Sequence, residues 1–574
     1  MDILLVASAF NSLTQRVFAE LGDRGHTVRV ELALGNEHLR EAVRRSAPDL
    51  IIAPMLRTAI PTDIWSAYVC LIVHPGPAGD RGPSSLDWAI HTGAADWGVT
   101  VLQAAAEMDG GDVWASVRCP VPPIGKSDLY RNEVSDAAVE AVLLAVERFA
   151  SGTYVPSPQS AAPGDTGVCS APVRVRPYFE QSRRRVDWAS DPTDTVVRKL
   201  RGADSQPGVL DVLLEEEWYL HGGHADDTLR GRPGELLATR SGAVCRATVD
   251  GAVWIPELRA RRAAGGPATF KLPAALALGD RMPVLPEVGV PWELPAGRRT
   301  WSEIRYREEG PVGFLSFAFA GGAMSTGQCG RLLTAYEFAC SRPTTVLVLG
   351  GSRDFFSNGI HLNVIEASAD PARESWENIN AMDDLVEAML TTTDRMLVSA
   401  VGGNAAAGGA MLALAADQVW SRAGAVLNPH YRLMGLYGSE YWTYTLPRRV
   451  GPDEAERLTR RALPMTAARA RETGLVDVVI DVAPQDFGSA VAHRAAGLAS
   501  APATQRRVSE KKAARERDEA VAPLSSYREA ELARMRDTFF DPAASYHALR
   551  AAFVRKTKPS ATPEHLRAGV SRLG

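Results

Sequence analysis

A histidine and an aspartate, each beside glycines, are the residues whose types and spacing first suggest acid–base chemistry. His74 ends an apolar run and is followed by Pro75-Gly76, while Asp109 lies in the turn MDGGD at 108–112. In an open parallel sheet the ligand crevice lies at the carboxyl ends of the strands, so His74 should face it. Neutral imidazole relays protons near physiological pH, and a nearby carboxylate fixes its tautomer and raises its basicity. A strand-capping histidine and a turn aspartate are the structural alternatives.

Two more glycine-framed segments lie in the second half of the chain. They read FFSNGIHL at 355–362 and SAVGGNAAAGGAMLALAAD at 399–417. Glycine permits close backbone approach, and the positive end of a following helix favours negative charge. Ordinary strand–helix turns are the alternative for either segment alone.

The composition is that of a folded enzyme. The chain has 574 residues, 45% hydrophobic and 23% charged, which suggests roughly three or four domains. Its net charge of −5 argues against a nucleic-acid partner. Six cysteines without CxxC spacing argue against a zinc site and a disulfide framework, so we expect no metal and a reducing, cytoplasmic compartment. No apolar run reaches the ~20 residues that span a bilayer, so no membrane association is expected.

Short apolar runs alternate with amphipathic stretches in the first third. This alternation predicts a parallel sheet with crossover helices, a Rossmann-like layout. The predicted strands are 2–8, 27–34, 49–55 and 69–74, and the predicted helices are 12–22 and 37–45. No GxGxxG follows the first strand, so a dinucleotide is not expected there.

Two joints rich in proline and glycine divide the chain. Ser151–Pro177 has the composition of a linker, and Pro283–Thr300 is a second joint. The expected fold class is α/β multidomain: a Rossmann-like domain over 1–165, strand-like runs over 178–286 that would complete a small OB-like β-barrel, and a further α/β domain over 300–574. The charged segment Gln505–Leu573, with a helical stretch at Tyr527–Met535, is interpreted as a solvated helical region packing on a neighbour.

The segments 70–90 and 98–116 resemble the core of folate-dependent formyltransferases. The resemblance implies catalytic roles for His74 and Asp109, with 10-formyl-tetrahydrofolate as co-substrate, and a formyltransferase C-terminal barrel after Arg183. The family's asparagine, two residues before the histidine, is replaced by Ile72. Loss of one oxyanion donor typically costs about 3 kcal/mol. The replacement therefore favours a strongly nucleophilic acceptor such as a thiol over an amine.

Several polar side chains are candidates for anionic groups of the ligands. Gln15 and Arg16 lie in the first turns of a helix, where unpaired N–H groups favour anions. Arg81 either holds an anion or pairs with Asp80, and Arg131 is a further phosphate candidate. A solvated surface position is the alternative for each.

The glycine-framed segments of the second half resemble the paired oxyanion-hole segments of the crotonase (enoyl-CoA hydratase/isomerase) family. The resemblance implies a crotonase fold with C-terminal helices and backbone donors at Ile360 and Gly408. Met411 stands where a hydratase has its first glutamate, so hydratase activity is disfavoured.

The second hydratase acid falls in LNPHYRLMGLYGSEYWTY, near His430 or Tyr431. This segment also offers Glu440, and a carboxyl in aromatic company is expected to have a raised pKa, as a base for a carbon-bound proton needs. A structural aromatic cluster, which would include Tyr437 and Tyr444, is the alternative. Arg555 and Lys556 resemble the basic C-terminal residues that crotonases use against CoA phosphates; a solvated basic stretch is the alternative.

The order of formyltransferase domain, barrel and crotonase domain is similar to that of HypX-type hydrogenase maturation proteins over nearly the whole chain. The resemblance implies formyl transfer from 10-formyl-tetrahydrofolate to coenzyme A. Decarbonylation of formyl-CoA would then give the CO ligand of NiFe-hydrogenase. Its implied partners are small-molecule substrates and other hydrogenase maturation proteins. The alternatives are a formyltransferase for another acceptor, a formyl-CoA hydrolase, and a non-catalytic scaffold.

Overall fold

Six strands form the sheet that positions His74. In spatial order they are Thr27–Leu32, Asp2–Ala7, Leu50–Ala53, Cys70–His74, Asp96–Gln103 and Val113–Pro120. The first four are parallel, as predicted, and the last two run antiparallel to their neighbours. His74 therefore lies at the carboxyl end of a central strand, opposite Thr100 of the next strand. This computed structural model describes residues 1–159, 174–295, 297–351 and 353–569.

The chain divides into two units. The first contains Met1–Gly223, Thr248–Val253 and the residues from Pro559 onwards, and the second contains His224–Ala247 and Trp254–Lys558. Cys169, most of the predicted linker and Leu573 lie outside the described residues.

Helices pack around the first sheet. The Asn11 side chain accepts a hydrogen bond from Thr14 N at 3.0 Å and so begins the first helix. The helices of this unit before the linker are Ser12–Asp23, Asn36–Ser46, Thr62–Trp65, Ser85–His91, Lys126–Arg131 and Glu133–Ser151. The Rossmann-like prediction is confirmed for this part of the chain.

The region predicted as a small OB-like β-barrel forms open sheets, and no closed barrel is present among the described residues. After the helices Gln181–Arg184 and Thr193–Ala203 the chain forms antiparallel hairpins, and the described strands belong to open sheets. Leu272–Pro273 is a two-residue strand that ends on a proline, which has no N–H with which to extend a ladder. The strands of this region are Val209–Leu213, Glu216–His221, His224–Asp226, Leu236–Arg240, Ala243–Ala247, Ala252–Ile255, Glu257–Ala260 and Leu272–Pro273.

A second six-stranded sheet forms the centre of the second unit. Its order is Ile304–Glu309, Val312–Phe317, Val346–Gly350, Met396–Val401, Gln418–Arg422 and Val478–Ile480, parallel after the first antiparallel pair. Side chains alternate between its faces: Leu347 and Leu349 join one buried cluster, while Val346 and Val348 join another.

Short strands and helices complete this unit and carry its turns. The short strands are Ala323–Met324, Gly359–Ile360, Ala405–Ala406, Val426–Asn428 and Met465–Thr466. The helices before the C-terminal segment are Ala274–Leu278, Thr326–Ser341, Leu362–Ala367, Pro371–Thr391, Gly408–Leu414, Trp442–Val450, Pro452–Arg461, Ala467–Thr473 and Phe487–Ser500.

The charged C-terminal segment is helical, and its second helix is more than a solvated surface. The helices are Thr504–Val521, Leu524–Phe540, Ser545–Val554 and Glu564–Ala568. Met535, Phe539 and Tyr546 are fully buried in one cluster with Ile379. None of the helices in the described ranges is long and apolar enough to cross a membrane.

The residues after Pro559 return to the first unit and pack on its edge strand Thr27–Leu32. Thr562 Oγ1 accepts a hydrogen bond from Leu32 N at 2.9 Å and donates one to the buried carboxylate of Glu31. Arg567 Nε lies 3.8 Å from the same carboxylate. The C-terminal residues therefore cover an edge that would otherwise present unpaired backbone groups.

Candidate active sites

His74 lies between two carboxylates. Its Nε2 is 3.2 Å from Asp80 Oδ2, and its Nδ1 is 3.7 Å from Asp109 Oδ2. The predicted pair of His74 and Asp109 is thus brought together, and Asp80 is a nearer partner that the sequence did not reveal. Gly76 makes room for this arrangement, because a Cβ there would lie 2.4 Å from His74 Nε2.

Asp80 is the acceptor of a small buried network. Ser85 Oγ donates to its Oδ2 at 2.7 Å, and Arg176 Nε donates to its Oδ1. Burial opposes its charge, but the hydrogen bonds from His74, Ser85 and Arg176 outweigh burial and hold the pKa of Asp80 below its ordinary value. The ionised Asp80 accepts a hydrogen bond from the Nε2–H group of His74. In the neutral imidazole this leaves Nδ1, which lies beside Asp109, without a hydrogen and able to accept a proton.

Asp109 is held by backbone geometry. Its φ is +53°, in the left-handed region that non-glycine residues rarely adopt. Gly82 N donates to its Oδ2 at 3.1 Å. Gly111 cannot carry a side chain, because a Cβ there would lie 1.8 Å from Gln103 O. The glycine-framed turn therefore fixes the Asp109 carboxylate against the imidazole.

The side chains predicted to bind anions in the first unit contact other residues of that unit. Arg81 Nη1 pairs with Glu107 Oε1 at 2.7 Å rather than with Asp80. Arg16 pairs with Asp136, and Gln15 Nε2 donates to Phe10 O at 3.0 Å. Asn11 Nδ2 donates to Tyr130 OH at 3.0 Å, and so joins the loop before Gln15 to the helix that ends at Arg131.

The two turns of the second unit touch each other. A Cβ on Gly359 would lie 3.2 Å from Gly408 N, and one on Gly409 would lie 2.1 Å from Ser357 O. Ile360 pairs in a short parallel ladder with Met324. Gly408 is the first residue of its helix, so its N–H has no acceptor within that helix. The predicted donors Ile360 and Gly408 thus belong to backbone segments in direct contact.

Glu440 and Tyr431 lie against this turn. Tyr431 OH donates to Glu440 Oε2 at 2.6 Å. The other oxygen, Glu440 Oε1, faces Gly408, where an added Cβ would lie only 2.0 Å from it. Burial, with the charge of Asp383 adding to it, raises the pKa of Glu440 to about 8. This carboxyl can therefore take up and return a proton near neutral pH.

Other residues of the aromatic segment lie elsewhere. Tyr437 contacts the Trp442 ring with centroids 5.3 Å apart, and Tyr444 OH donates to Asp518 Oδ2 at 2.8 Å. His430 is buried. Met411 is fully buried in the apolar core, so no acid stands at its position.

Two carboxylates around Glu440 were missed by sequence reasoning. Asp383 is fully buried and accepts from Glu440 N at 2.7 Å, and the equally buried Glu531 accepts from Tyr441 N at 2.9 Å. The spacing of Asp383 between the apolar Ile379, Met382 and Val386 of one helix was the signal that could have found it.

The two basic residues proposed for CoA binding, Arg555 and Lys556, differ in whether they form an ion pair. Arg555 pairs with Glu366, which also binds Arg550 at 2.7 Å. Lys556 has no acidic partner among the residues described, and its ammonium lies 4.5 Å from the Phe553 ring centroid. Partial burial and then the charge of Lys271 lower the pKa of Lys556. Lys271 itself pairs with Glu257 Oε2 at 2.5 Å.

Sequence families match both halves of the chain. Formyl transferase matches residues 12–146, Formyl transferase, C-terminal domain, matches 179–270, and Enoyl-CoA hydratase/isomerase matches 330–562. Together with the two sites, these matches define a formyltransferase fused to a crotonase-type domain.

Relatives that match over nearly the full length of the chain define a more specific family. The chain is 48% identical to the hydrogenase maturation factor HoxX of Bradyrhizobium diazoefficiens, over 98% of this chain and 96% of that protein. It belongs to the HypX/HoxX family of hydrogenase maturation factors. The crystal structure of HypX from Aquifex aeolicus in complex with tetrahydrofolic acid matches with a TM-score of 0.93 and 43% identity, over 98% of both chains. A methionyl-tRNA formyltransferase of Geobacter sulfurreducens is 24% identical over 38% of this chain and 67% of that protein.

Proposed function

We propose that this protein makes carbon monoxide for the NiFe-hydrogenase active site in two steps. The first step moves formyl from 10-formyl-tetrahydrofolate to coenzyme A, and the second breaks formyl-CoA into CO and CoA. The observation that carries the proposal is the Tyr431–Glu440 pair, whose free oxygen Oε1 faces the backbone of Gly408. Hydration is not expected of this pocket, because Met411 replaces one of the two acids.

His74 is the proton acceptor of the first step. It takes the thiol proton of CoA as the sulfur–carbon bond forms, and the proton passes to folate N10 as the carbon–nitrogen bond breaks. The Asp109 carboxylate, 3.7 Å from Nδ1, stabilises the imidazolium formed in between. The tetrahydrofolate complex of the Aquifex aeolicus relative supports folate as the donor.

Glu440 is the base of the second step. The N–H groups of Ile360 and Gly408 bind the formyl oxygen, and Glu440 removes the formyl hydrogen as a proton. The electron pair of that bond becomes part of CO, the carbon–sulfur bond breaks, and the thiolate recovers the proton from Glu440. Atoms and charges balance without an oxidant or a metal ion. The raised pKa of Glu440 suits a group that must both accept and return a proton.

Basic groups of each unit suit the anionic parts of the substrates. We assign Lys556 to a phosphate of CoA, because its side chain is exposed and has no acidic partner among the residues described. Arg555 assists there after exchanging its contact with Glu366. Gln15, Arg81 and Arg131 remain candidates for phosphate or folate carboxylate groups.

Gas analysis tests the proposal directly. The full-length protein is mixed with 10-formyl-tetrahydrofolate and CoA, and CO, formate and tetrahydrofolate are measured together. We expect one CO per tetrahydrofolate, dependent on CoA. Formate without CO would instead support a formyl-CoA hydrolase. Formyl loss without CoA dependence would support another acceptor, and no turnover at all would support a scaffold.

A further inference from the structure

The turn that carries Glu440 has an unfavourable backbone. Glu440 and Tyr441 adopt φ values of +60° and +56°, left-handed at two consecutive non-glycine residues. Such conformations crowd Cβ against the following carbonyl and persist only where the surroundings hold them. The contacts that hold this turn therefore determine where the Glu440 carboxyl lies.

Two carboxylates from two helices hold it. Asp383, on the helix Pro371–Thr391, accepts from Glu440 N at 2.7 Å through Oδ1 and from Ser439 Oγ at 2.6 Å through Oδ2. Glu531, on the helix Leu524–Phe540, accepts from Tyr441 N at 2.9 Å and Thr443 N at 2.8 Å. The backbone N–H groups of Glu440, Tyr441 and Thr443 thus all donate to carboxylate oxygens.

Buried carboxylates are a costly means of holding a turn. A neutral amide or hydroxyl would accept the same N–H groups without the desolvation of a charge. The cation nearest to Asp383 among the described residues is Arg528, with Nε 4.0 Å from Oδ2, and its guanidinium binds Asp384 at 2.6 Å and Glu387 at 2.8 Å. The negative charge beside Glu440 is thus only partly compensated.

We propose that Asp383 and Glu531 are positioning residues for the second step: they fix the strained turn so that Glu440 presents Oε1 to the Gly408 turn while Oε2 stays on Tyr431. This inference rests on the proposed function, because it deepens the role given there to Glu440. Asp383 has a second effect through its charge, which disfavours an ionised Glu440 and so strengthens it as a base.

The test compares near-isosteric variants of the full-length protein with supplied formyl-CoA. Asp383→Asn keeps an acceptor for Glu440 N but removes the charge. We expect its kcat for CO release to fall about tenfold. The pH at which CO release reaches half its plateau should move about one unit lower, because Glu440 loses a negative neighbour. Glu531→Gln should lower kcat with a smaller shift. Glu377→Gln, an exposed position on the Asp383 helix, is the matched control and keeps wild-type values.

A structural role alone would lower stability without moving the pH profile. Asp383→Asn with wild-type kcat and pH profile would overturn the proposal, and so would an unshifted profile in a folded variant. If Asp383→Asn does not fold, Glu531→Gln decides, and an unchanged kcat there overturns the proposal.

A failure of the proposed function gives a different result. If the wild-type protein releases no CO, the Glu440 carboxyl is titrated by NMR with ¹³C-labelled glutamate, its signal identified by loss in Glu440→Gln. The positioning inference then requires the Glu440 pKa to fall in Asp383→Asn. An unchanged titration overturns it independently of the gas measurement.

Discussion

The pKa values of the buried carboxyl groups are shifted in opposite directions at the two sites. At His74, the Asp80 carboxylate receives hydrogen bonds from Ser85 and Arg176 and its pKa is lowered. At Glu440, burial raises the pKa of Glu440 to about 8 and those of Asp383 and Glu531 to about 7. One site keeps a permanent anion beside an imidazole, whereas the other keeps a carboxyl that changes protonation near neutral pH. The first suits proton relay between heteroatoms, and the second suits removal of a proton from carbon.

The largest effect is expected at the first site. His74→Ala and Asp109→Ala should each reduce formyl loss from 10-formyl-tetrahydrofolate about a thousandfold, because the relay to the leaving nitrogen is lost. Supplied formyl-CoA should still be consumed. Tetrahydrofolate formation measures the effect, with His91→Ala and the exposed Asp112→Asn as controls. Wild-type turnover of folate in either variant would falsify the assignment of this site.

Variants of the second site should lower CO release and leave formyl loss from folate intact. Glu440→Gln should lower CO release about a hundredfold or more, since no other carboxyl faces Gly408 among the described residues, while formyl loss from folate continues. Tyr431→Phe should show a weaker loss, because Glu440 then lacks one hydrogen bond. Headspace CO is measured, and Tyr437→Phe is the matched control. Undiminished CO from both variants would remove this segment from the mechanism.

The raised pKa of Glu440 also predicts a stability difference that depends on pH. A carboxyl with a raised pKa in the folded state stabilises the fold while protonated, and this contribution is lost as pH rises through about 8. Glu440→Gln does not titrate, so its Tm relative to wild type should increase between pH 5 and pH 9. Each unit of pKa shift corresponds to about 1.4 kcal/mol. A difference in Tm that stays constant over this range would contradict the raised pKa.

The smallest effect concerns coenzyme A. Lys556→Ala should raise the Kd for CoA about tenfold by calorimetry, because one charge-assisted contact to phosphate is removed. Lys558→Ala, an exposed neighbour, is the control. The wild-type protein should bind CoA yet leave the absorbance of crotonyl-CoA unchanged, since Met411 neither donates nor accepts a proton. Measurable hydration would require a relocated acid–base pair and would argue against the formyl-CoA pocket.

The sequence pointed to the proposed reacting groups more readily than to the groups that hold them. His74, Asp109, Tyr431 and Glu440 stand in recognisable patterns, and the structure brings them together in two pairs. Arg176 binds Asp80 from 96 residues away, within a segment whose composition is that of a linker. No local pattern records such a contact.

Asp383 and Glu531 were not predicted from the sequence for a related reason. Each stands on a helix with many charged residues, where an acidic side chain is usually solvated. Only the tertiary packing turns them toward the Glu440 turn, 57 and 90 residues away in sequence from Glu440 and Tyr441 respectively. The open sheets of the OB-like region could not be foreseen either, because alternating hydrophobicity reveals strands but not whether a sheet closes.

The return of the residues after Pro559 to the first unit has a consequence for synthesis. These residues leave the ribosome after the whole second unit, yet Thr562 binds Glu31 and Leu32 on the edge of the first sheet. The first unit therefore cannot complete its edge during translation until the second unit has been made. A truncated chain would leave that edge uncovered and open to pairing with other chains.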